Sequence, residues 1–361
     1  MIRLLLFAPF LLASCASTGA GSAPPDMLAE VLFEFDTKLG GCALGDVYPD
    51  RPGMEVVVVT GAGELHVISR AAGLWVVDTP LTSPGELIQV AVGDLLEERP
   101  GEEILAGGMA RGTEDDPGPG KLWVCGRTRK GKWYAEPVFE PTALAHAVLI
   151  DDFDLDFRGP EAYSAGFDQQ LHRLEISRSF PGEVDLMAGL DSPAKGICRH
   201  LDGIVLTLAD GGLVFVDPNE PNADPVEIFR ADSGLARVAS LGDRLLVSSN
   251  NGTLWHLTYD GIGEAVATIL LVDPEGAKGR GAAFAYLDGC SGPLPVTAGY
   301  SGQVVAVQSL GEGAFMGHVL HEEGAALHHL SAGDVLPEVP GDELVTVGYS
   351  GRVVLLKSRQ P

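Results

Sequence analysis

The sequence predicts an all-β fold in which seven four-stranded sheets form a closed ring. Three observations predict it: a frame that recurs seven times, a spacing between copies that suits four short strands, and an N-terminal strand that would fill a gap in the last copy. The composition agrees, because 47 glycines and 24 prolines among 361 residues favour short strands and tight turns over long helices.

The recurring frame has acidic residues at positions 1, 5 and 10 and glycine at position 8. Strong copies begin at Asp46, Asp94, Asp152 and Asp334, and weaker copies keep the leading aspartate at Asp202, Asp243 and Asp288. Successive leading aspartates are 41 to 58 residues apart, which suits one blade of four strands, here named A to D from the centre outwards. The sequence therefore predicts a seven-bladed β-propeller over residues 28–361.

The two ends of the predicted ring are expected to share one blade. The seventh copy supplies only three strands, of which the third spans residues 352–357. Residues 30–36 precede the first copy and have the pattern of a D strand. We expect this N-terminal strand to complete the last blade, because the closure removes two open sheet edges.

The frame resembles FG-GAP/VCBS-type repeats, in which Gly-Asp, an acidic loop and a β-rich strand follow one another. The resemblance covers nearly all of residues 30–358. It implies a propeller but no single function, since that family includes adhesive, sugar-binding and enzymatic members. It also implies a candidate calcium loop, for which the best match is Asp152, Asp154 and Asp156. The alternative is that each leading aspartate accepts amides of its own turn.

The N-terminal region is expected to be a targeting segment. Residues 1–14 contain an apolar run too short to span a bilayer, as in a signal peptide. Residues 12–15, Leu-Ala-Ser-Cys, are similar to a bacterial lipobox, which implies lipidation at Cys15. Residues 15–27 would then be the lipidated cysteine and a flexible tether. We expect a monomer in the bacterial cell envelope, at the outer membrane or cell surface; ordinary secretion with cleavage near Ala20 is the alternative.

The charge balance excludes some partners. Lysine and arginine number 24 against 50 acidic residues, so the net charge is −26. This argues against a nucleic-acid partner and against electrostatic attachment to anionic lipid, so membrane contact is expected through the lipid anchor alone. The chain has no GxSxG motif, P-loop, dinucleotide fingerprint or CxxC pair.

Candidate functional residues gather where the predicted A strands begin. Counting six residues back from each leading aspartate gives Gly40, Ile88, His146, Gly196, Arg237, Ala282 and His328. Slightly earlier positions hold Lys195 and Arg280, and two GYSG turns add Tyr300 and Tyr349. Since these ends of a propeller meet at its channel mouth, we expect one opening surrounded by His146, Lys195, Arg237, Arg280, Tyr300, His328 and Tyr349.

This residue set suits an anionic small molecule or glycan such as a uronate. The leading interpretation is a lipid-anchored scaffold that binds such a ligand, or an envelope protein, without catalysis. The alternative is a carbohydrate lyase or dehydratase with acid and base chosen from His146, His328, Arg237, Tyr300 and Tyr349. A metal held by the two histidines and a third ligand is a further possibility. His318, His321 and His329 are expected at the surface, with His321 the only extra candidate ligand.

Overall fold

The fold is a ring of seven antiparallel sheets around a central channel. The computed structural model describes residues 21–96, 98–110, 118–153, 159–176 and 182–359. Within these ranges the chain forms 28 strands in seven four-stranded sheets. The described residues contain no helix able to cross a membrane. The predicted all-β, seven-bladed propeller is therefore confirmed.

The strands have the following bounds. In chain order they are β1 (Met27–Glu34), β2 (Leu39–Gly45), β3 (Glu55–Thr60), β4 (Glu64–Ala71), β5 (Leu74–Thr82), β6 (Glu86–Gly93), β7 (Glu103–Met109), β8 (Gly120–Arg127), β9 (Trp133–Phe139), β10 (Ala145–Asp151), β11 (Glu161–Gly166), β12 (Gln170–Leu174), β13 (Val184–Gly189), β14 (Ala194–His200), β15 (Gly203–Leu208), β16 (Gly212–Val216), β17 (Val226–Arg230), β18 (Leu235–Leu241), β19 (Arg244–Ser249), β20 (Thr253–Thr258), β21 (Val266–Val272), β22 (Gly279–Ala285), β23 (Leu294–Gly299), β24 (Gln303–Gly311), β25 (Ala314–Glu322), β26 (Leu327–Gly333), β27 (Glu343–Gly348) and β28 (Arg352–Ser358). Blades one to six take β2–β5, β6–β9, β10–β13, β14–β17, β18–β21 and β22–β25.

Blade seven joins the two ends of the chain, in the order β1-β28-β27-β26. Met27 lies opposite Ser358 and Glu34 lies opposite Arg352. The predicted closure by an N-terminal strand is thus confirmed. It leaves the last blade with the same four strands as the others, because β1 covers the edge that β28 would otherwise expose.

Burial within a blade follows its sequence pattern. Strand β3 (EVVVVT) is buried at every position, as expected of an unbroken β-branched run that is covered on both faces. In outer strand β5, every residue except Leu81 is exposed or partly buried. The apolar cores lie between adjacent blades, so each sheet packs against two neighbours and the ring holds itself together.

The acidic frame stabilises the turn between the A and B strands through its tenth position. Glu343 Oε2 accepts the amides of Val335 at 3.0 Å and Leu336 at 2.8 Å. Equivalent bonds join Glu55 to the Tyr48 amide, Glu103 to the Leu96 amide and Glu161 to the Phe153 amide. These turn amides are thus accepted by the buried glutamate at the start of strand B, and capping by the leading aspartate stays a prediction.

The described ends of the chain lie on one face of the ring. We call the end where the A strands begin the upper face, and the end with the acidic turns the lower face. Strand β1 starts at the lower face, where the Arg359 amide donates to the Asp26 carbonyl at 3.0 Å. The amide of Gly21 donates to the Ser309 carbonyl at 2.8 Å, so residues 21–26 run along the lower side of blade six. Both described chain ends therefore lie opposite the channel mouth.

Candidate functional site

Every A strand has a β-bulge at its upper end. The pairing register shifts in all seven strands at the bulged residues Gly40 and Gly41, Ile88, His146, Lys195, Ala236 and Arg237, Arg280, and His328. A bulge inserts one unpaired residue and redirects its side chain. Seven equivalent bulges therefore form a ring of redirected residues at the channel mouth.

The structure corrects two of the seven positions that were obtained by counting six residues back from each leading aspartate. The count of six residues gave Gly196 in blade four and Ala282 in blade six. The structure places Lys195 and Arg280 at the bulges instead. The path from bulge to leading aspartate is longer by one residue in blade four and by two in blade six, so a fixed offset missed them.

The redirected residues enclose a chamber of about 360 Å³ at the mouth. Its lining comprises His146, Lys195, Arg237, Asn250, Lys278, Arg280, Tyr300 and His328. Five of these are bulge residues of the consecutive blades three to seven. The volume is in the range of small-molecule sites, about 300–1,000 Å³, and suits a small ligand or one unit of a polymer. The structure thus brings most of the candidate residues together, and their function stays a prediction.

Arg237 is the most unusual residue of the chamber. It is only 5% exposed, and its Nη1 donates to the Lys195 carbonyl. Its Nε and Nη2 are buried without a hydrogen-bond partner among the described residues. Burial and the neighbouring Arg280 lower the pKa of Arg237 to about 10, so it stays charged at neutral pH. A buried, partly unpaired guanidinium is costly, which is typical of a site built for an anion.

The other cations of the chamber also have neighbours that are not carboxylates. Lys195 Nζ lies 3.7 Å from the centre of the Phe167 ring, and burial together with Arg237 and Arg280 lowers the pKa of Lys195 to about 8. Arg280 Nη1 donates to Asn250 Oδ1 at 2.7 Å. Among the described residues, no carboxylate forms an ion pair with Lys195, Arg237, Lys278 or Arg280. Four cations therefore face one small space in a strongly acidic protein.

The chamber histidines are held as neutral acceptors. His146 Nδ1 lies 3.1 Å from the Lys195 carbonyl, and His328 Nδ1 lies 2.6 Å from the Gly40 carbonyl. A carbonyl only accepts, so each Nδ1 carries the proton and each Nε2 keeps a lone pair. Burial and Arg237 lower the pKa of His328 to about 4 and that of His146 well below its usual value. Neither Nε2 has a partner among the described residues.

The two GYSG turns bring their tyrosines together at the rim. The hydroxyls of Tyr300 and Tyr349 are 2.9 Å apart, and the Tyr349 side chain is 44% exposed. Burial acts to raise the pKa of Tyr300, but the hydrogen bond with Tyr349 and the nearby Arg280 outweigh it and lower the pKa. Burial and the same bond raise the pKa of Tyr349 to about 12. Tyr300 is thus the more acidic of the two hydroxyls, and either hydroxyl can be the donor of their bond.

The prediction that His329 lies at the surface is wrong. The bulge at His328 turns the next residue inwards as well, and His329 lies in the channel below the chamber, with Nδ1 3.5 Å from Cys42 Sγ and Nε2 3.0 Å from Gln89. His318 and His321 lie on outer strand β25, where they bond Gln308 and Glu323. Sequence analysis also missed Lys278, whose signal is only its place two residues before Arg280.

The described residues contain few side chains placed to bind a metal ion. They contain no group of three or more histidine, cysteine, aspartate or glutamate side chains that could hold an ion. His146 and His328 thus lack a third ligand of these types within that part of the chain. Of the candidate calcium loop only Asp152 belongs to the described residues, and Asp154 and Asp156 lie outside them, as does Cys15.

Comparisons with known proteins agree on the architecture. No family model and no curated protein matches the chain. Among solved structures, the WD40 β-propeller domain of Doa1 is similar with a TM-score of 0.66 and 12% identity, over 95% of this chain and 98% of that one. Virginiamycin B lyase from Staphylococcus aureus is similar with a TM-score of 0.64 and 12% identity, over 92% and 98%. At such identity the similarity shows the fold alone, and the class defined is a seven-bladed β-propeller.

Proposed function

We propose that this propeller is a binding protein for an anionic small molecule or glycan, which it holds in the chamber at its channel mouth. The observation that carries the proposal is Arg237, a buried guanidinium with two unpartnered nitrogens among four cations. Charge-assisted hydrogen bonds from such groups are strong in a site shielded from water. The neutral histidines add no positive charge, so the anion would be held by Lys195, Arg237, Lys278 and Arg280.

Calorimetry with carboxylate ligands tests this proposal. The purified protein should bind D-galacturonate, and the Arg237→Met variant should lose at least tenfold in affinity. The matched control is Arg199→Met, because Arg199 lies at the lower end of β14 and pairs with Asp151. Unchanged affinity in Arg237→Met, or equal losses in both variants, would refute the assignment. Binding of an envelope protein at the channel mouth would instead support a scaffold that binds a protein partner.

A second candidate function is an elimination reaction on a sugar acid, as in a lyase or dehydratase. The lone pairs on His146 Nε2 and His328 Nε2 favour it, since a base is needed to remove the proton next to the carboxylate. The C–H bond would break towards histidine while the cations stabilise the enolate, and the C–O bond would break as Tyr300 protonates the leaving oxygen. New ultraviolet absorbance from the conjugated double bond, absent in a His146→Phe variant, would establish this reaction. Absence of turnover would support binding without catalysis instead.

The location forms a separate part of the proposal. Lipidation at Cys15 in a bacterial envelope is supported by the tetrapeptide at residues 12–15, and the acidic frame supports kinship with FG-GAP/VCBS repeats. Residues 21–26 lie on the lower face, so an anchor there would leave the mouth pointing away from the membrane. Incorporation of labelled palmitate that is lost in Cys15→Ala tests the anchor. Calcium binding at Asp152, Asp154 and Asp156 and a monomeric state remain further proposals.

A further inference from the structure

The chamber has two kinds of polar group in a definite order around the ring. Donors occupy the middle of the arc, where Lys195, Arg237 and Arg280 come from blades four, five and six. Acceptors occupy its two ends, where His146 comes from blade three and His328 from blade seven. Blades one and two contribute the apolar bulges of Gly40 and Ile88. The arc is therefore cationic at its centre and accepting at both flanks.

A simple anion satisfies only half of this arrangement. A carboxylate or sulfate oxygen accepts hydrogen bonds from Arg237 and its neighbours, but it donates nothing to an Nε2 lone pair. The bonds from Nδ1 to the Lys195 and Gly40 carbonyls fix both histidine rings in the accepting tautomer. A ligand whose polar groups match the whole site would therefore donate hydrogen bonds on either side of its negative group.

Exposed aromatic side chains flank the same opening. Phe167 is 41% exposed beneath Lys195, and its ring centre is 5.9 Å from that of His146. On the other flank, the Tyr349 ring centre is 6.0 Å from that of His328. Each accepting histidine is thus next to an apolar face on which the carbon skeleton of a ligand can rest.

We propose that the ligand is a polyhydroxylated carboxylate, such as a uronic acid, with its carboxylate at Arg237 and its hydroxyls donating to His146 Nε2 and His328 Nε2. The inference rests on the proposed anion-binding function and adds the ligand class and orientation. A free sugar acid and a uronate unit of a glycan share this chemistry, so the test includes both.

The test compares three probes on the unchanged protein by calorimetry: D-galacturonate, D-galactose and acetate. We expect galacturonate to bind at least tenfold more tightly than either of the others, because only it has both the carboxylate and the hydroxyls. Equal binding of galacturonate and acetate would overturn the inference while leaving anion binding intact. Failure of both carboxylates to bind would overturn the proposed function as well. A fourth probe, trigalacturonate, then distinguishes the two sources: tighter binding than that of galacturonate identifies a glycan, and weaker binding identifies a free sugar acid.

A variant of His146 tests the proposed hydrogen bond from a ligand hydroxyl to its Nε2. His146→Phe keeps a ring but removes the acceptor, and Arg237 still donates to the Lys195 carbonyl. Galacturonate affinity should fall about three- to tenfold, the usual effect of one hydrogen bond, while acetate affinity stays unchanged. The matched control is His318→Phe on outer strand β25, which should bind both probes normally. Equal loss of both probes in His146→Phe would contradict the assigned contact. The three-probe comparison needs no variant and stays decisive if His146→Phe does not fold.

Discussion

Arg237 combines features that rarely occur together in a residue kept for stability alone. Its guanidinium is buried, it lies beside other cations, and two of its nitrogens have no partner among the described residues. Removing an uncompensated buried charge relieves desolvation and repulsion. A site selected for binding, in contrast, tolerates such a cost, so function and stability should respond in opposite directions at this position.

The Arg237→Met variant separates these two effects. We expect its free energy of unfolding to rise by about 1 kcal/mol or more, because methionine fills similar space without a charge. Its affinity for galacturonate should fall in the same preparation. Chemical denaturation of Arg237→Met beside Arg199→Met measures the difference, since Arg199→Met removes a half-exposed arginine with its ion pair to Asp151 and its surface hydrogen bonds. A clear loss of stability in Arg237→Met would indicate a structural guanidinium and count against the binding role.

Lys195 gives the chamber a pH dependence. Burial and its two arginine neighbours lower the pKa of Lys195 to about 8, so its charge is lost as the pH rises through that value. Anion binding should therefore weaken between about pH 7 and 9, and binding should take up protons because the anion raises this pKa. The Lys195→Met variant should bind less tightly and with a flatter profile. An identical profile in both proteins would assign the titration to another group.

At the scale of single elements, the buried glutamates of the acidic turns stabilise the fold in a pH-dependent manner. Burial raises the pKa values of Glu55, Glu103 and Glu343 to about 7. A carboxyl group whose pKa is raised on folding contributes stability that is complete below its unfolded value of about 4.5 and is lost as the pH rises through about 7. The turns should therefore be more stable at pH 5 than at pH 8.

The Glu343→Gln variant tests this element. Glutamine can still accept the two turn amides, but it does not ionise. The free energy of unfolding of the unchanged protein should fall from pH 5 to pH 8, and the fall should be smaller in Glu343→Gln. The exposed Glu220→Gln serves as the control and should keep the original slope. A wild-type slope in Glu343→Gln would show that this carboxylate is ionised throughout the range.

The contact between the first two bulges depends on glycine. A Cβ on Gly40 would lie 2.7 Å from the Ile88 carbonyl oxygen and 2.9 Å from its Cα, both backbone atoms. Gly40→Ala should therefore separate blades one and two and destabilise the protein by about 1–3 kcal/mol in urea unfolding. Gly189→Ala, where an added Cβ meets nothing within 4 Å, should leave stability nearly unchanged. Equal effects of the two substitutions would contradict this packing.

Sequence patterning predicted the elements better than the site. The repeated frame and the strand near Glu30 were sufficient for seven blades and their closure, since alternation and turn chemistry are local. The bulges were not visible, because a bulge depends on pairing with the next strand, and the position of His329 inside strand β26 was not predicted either. The tautomer of His146 and His328, which leaves Nε2 as an acceptor, depends on carbonyls of neighbouring blades. It could therefore not be predicted from the local sequence.

At the scale of the whole molecule, the ring is closed by β1, which covers the edge of β28. Lys357 bonds Glu30 across this seam, with Nζ 2.6 Å from Oε2. Deletion of residues 27–34 should expose the β28 edge and lower the thermal midpoint, with a tendency to associate through that edge. Adding back a peptide of this sequence should restore the midpoint. Full stability of the deleted protein without the peptide would contradict closure by this strand.

The central claim is that the chamber at the channel mouth binds a carboxylate through Arg237. The most direct measurement is calorimetric titration of the full chain with D-galacturonate, repeated on Arg237→Met and Arg199→Met. We predict saturable binding at one site per chain, loss of at least tenfold in affinity in Arg237→Met, and no change in Arg199→Met. Failure of every carboxylate probe to bind the unchanged protein, or equal affinity in Arg237→Met, would contradict the claim.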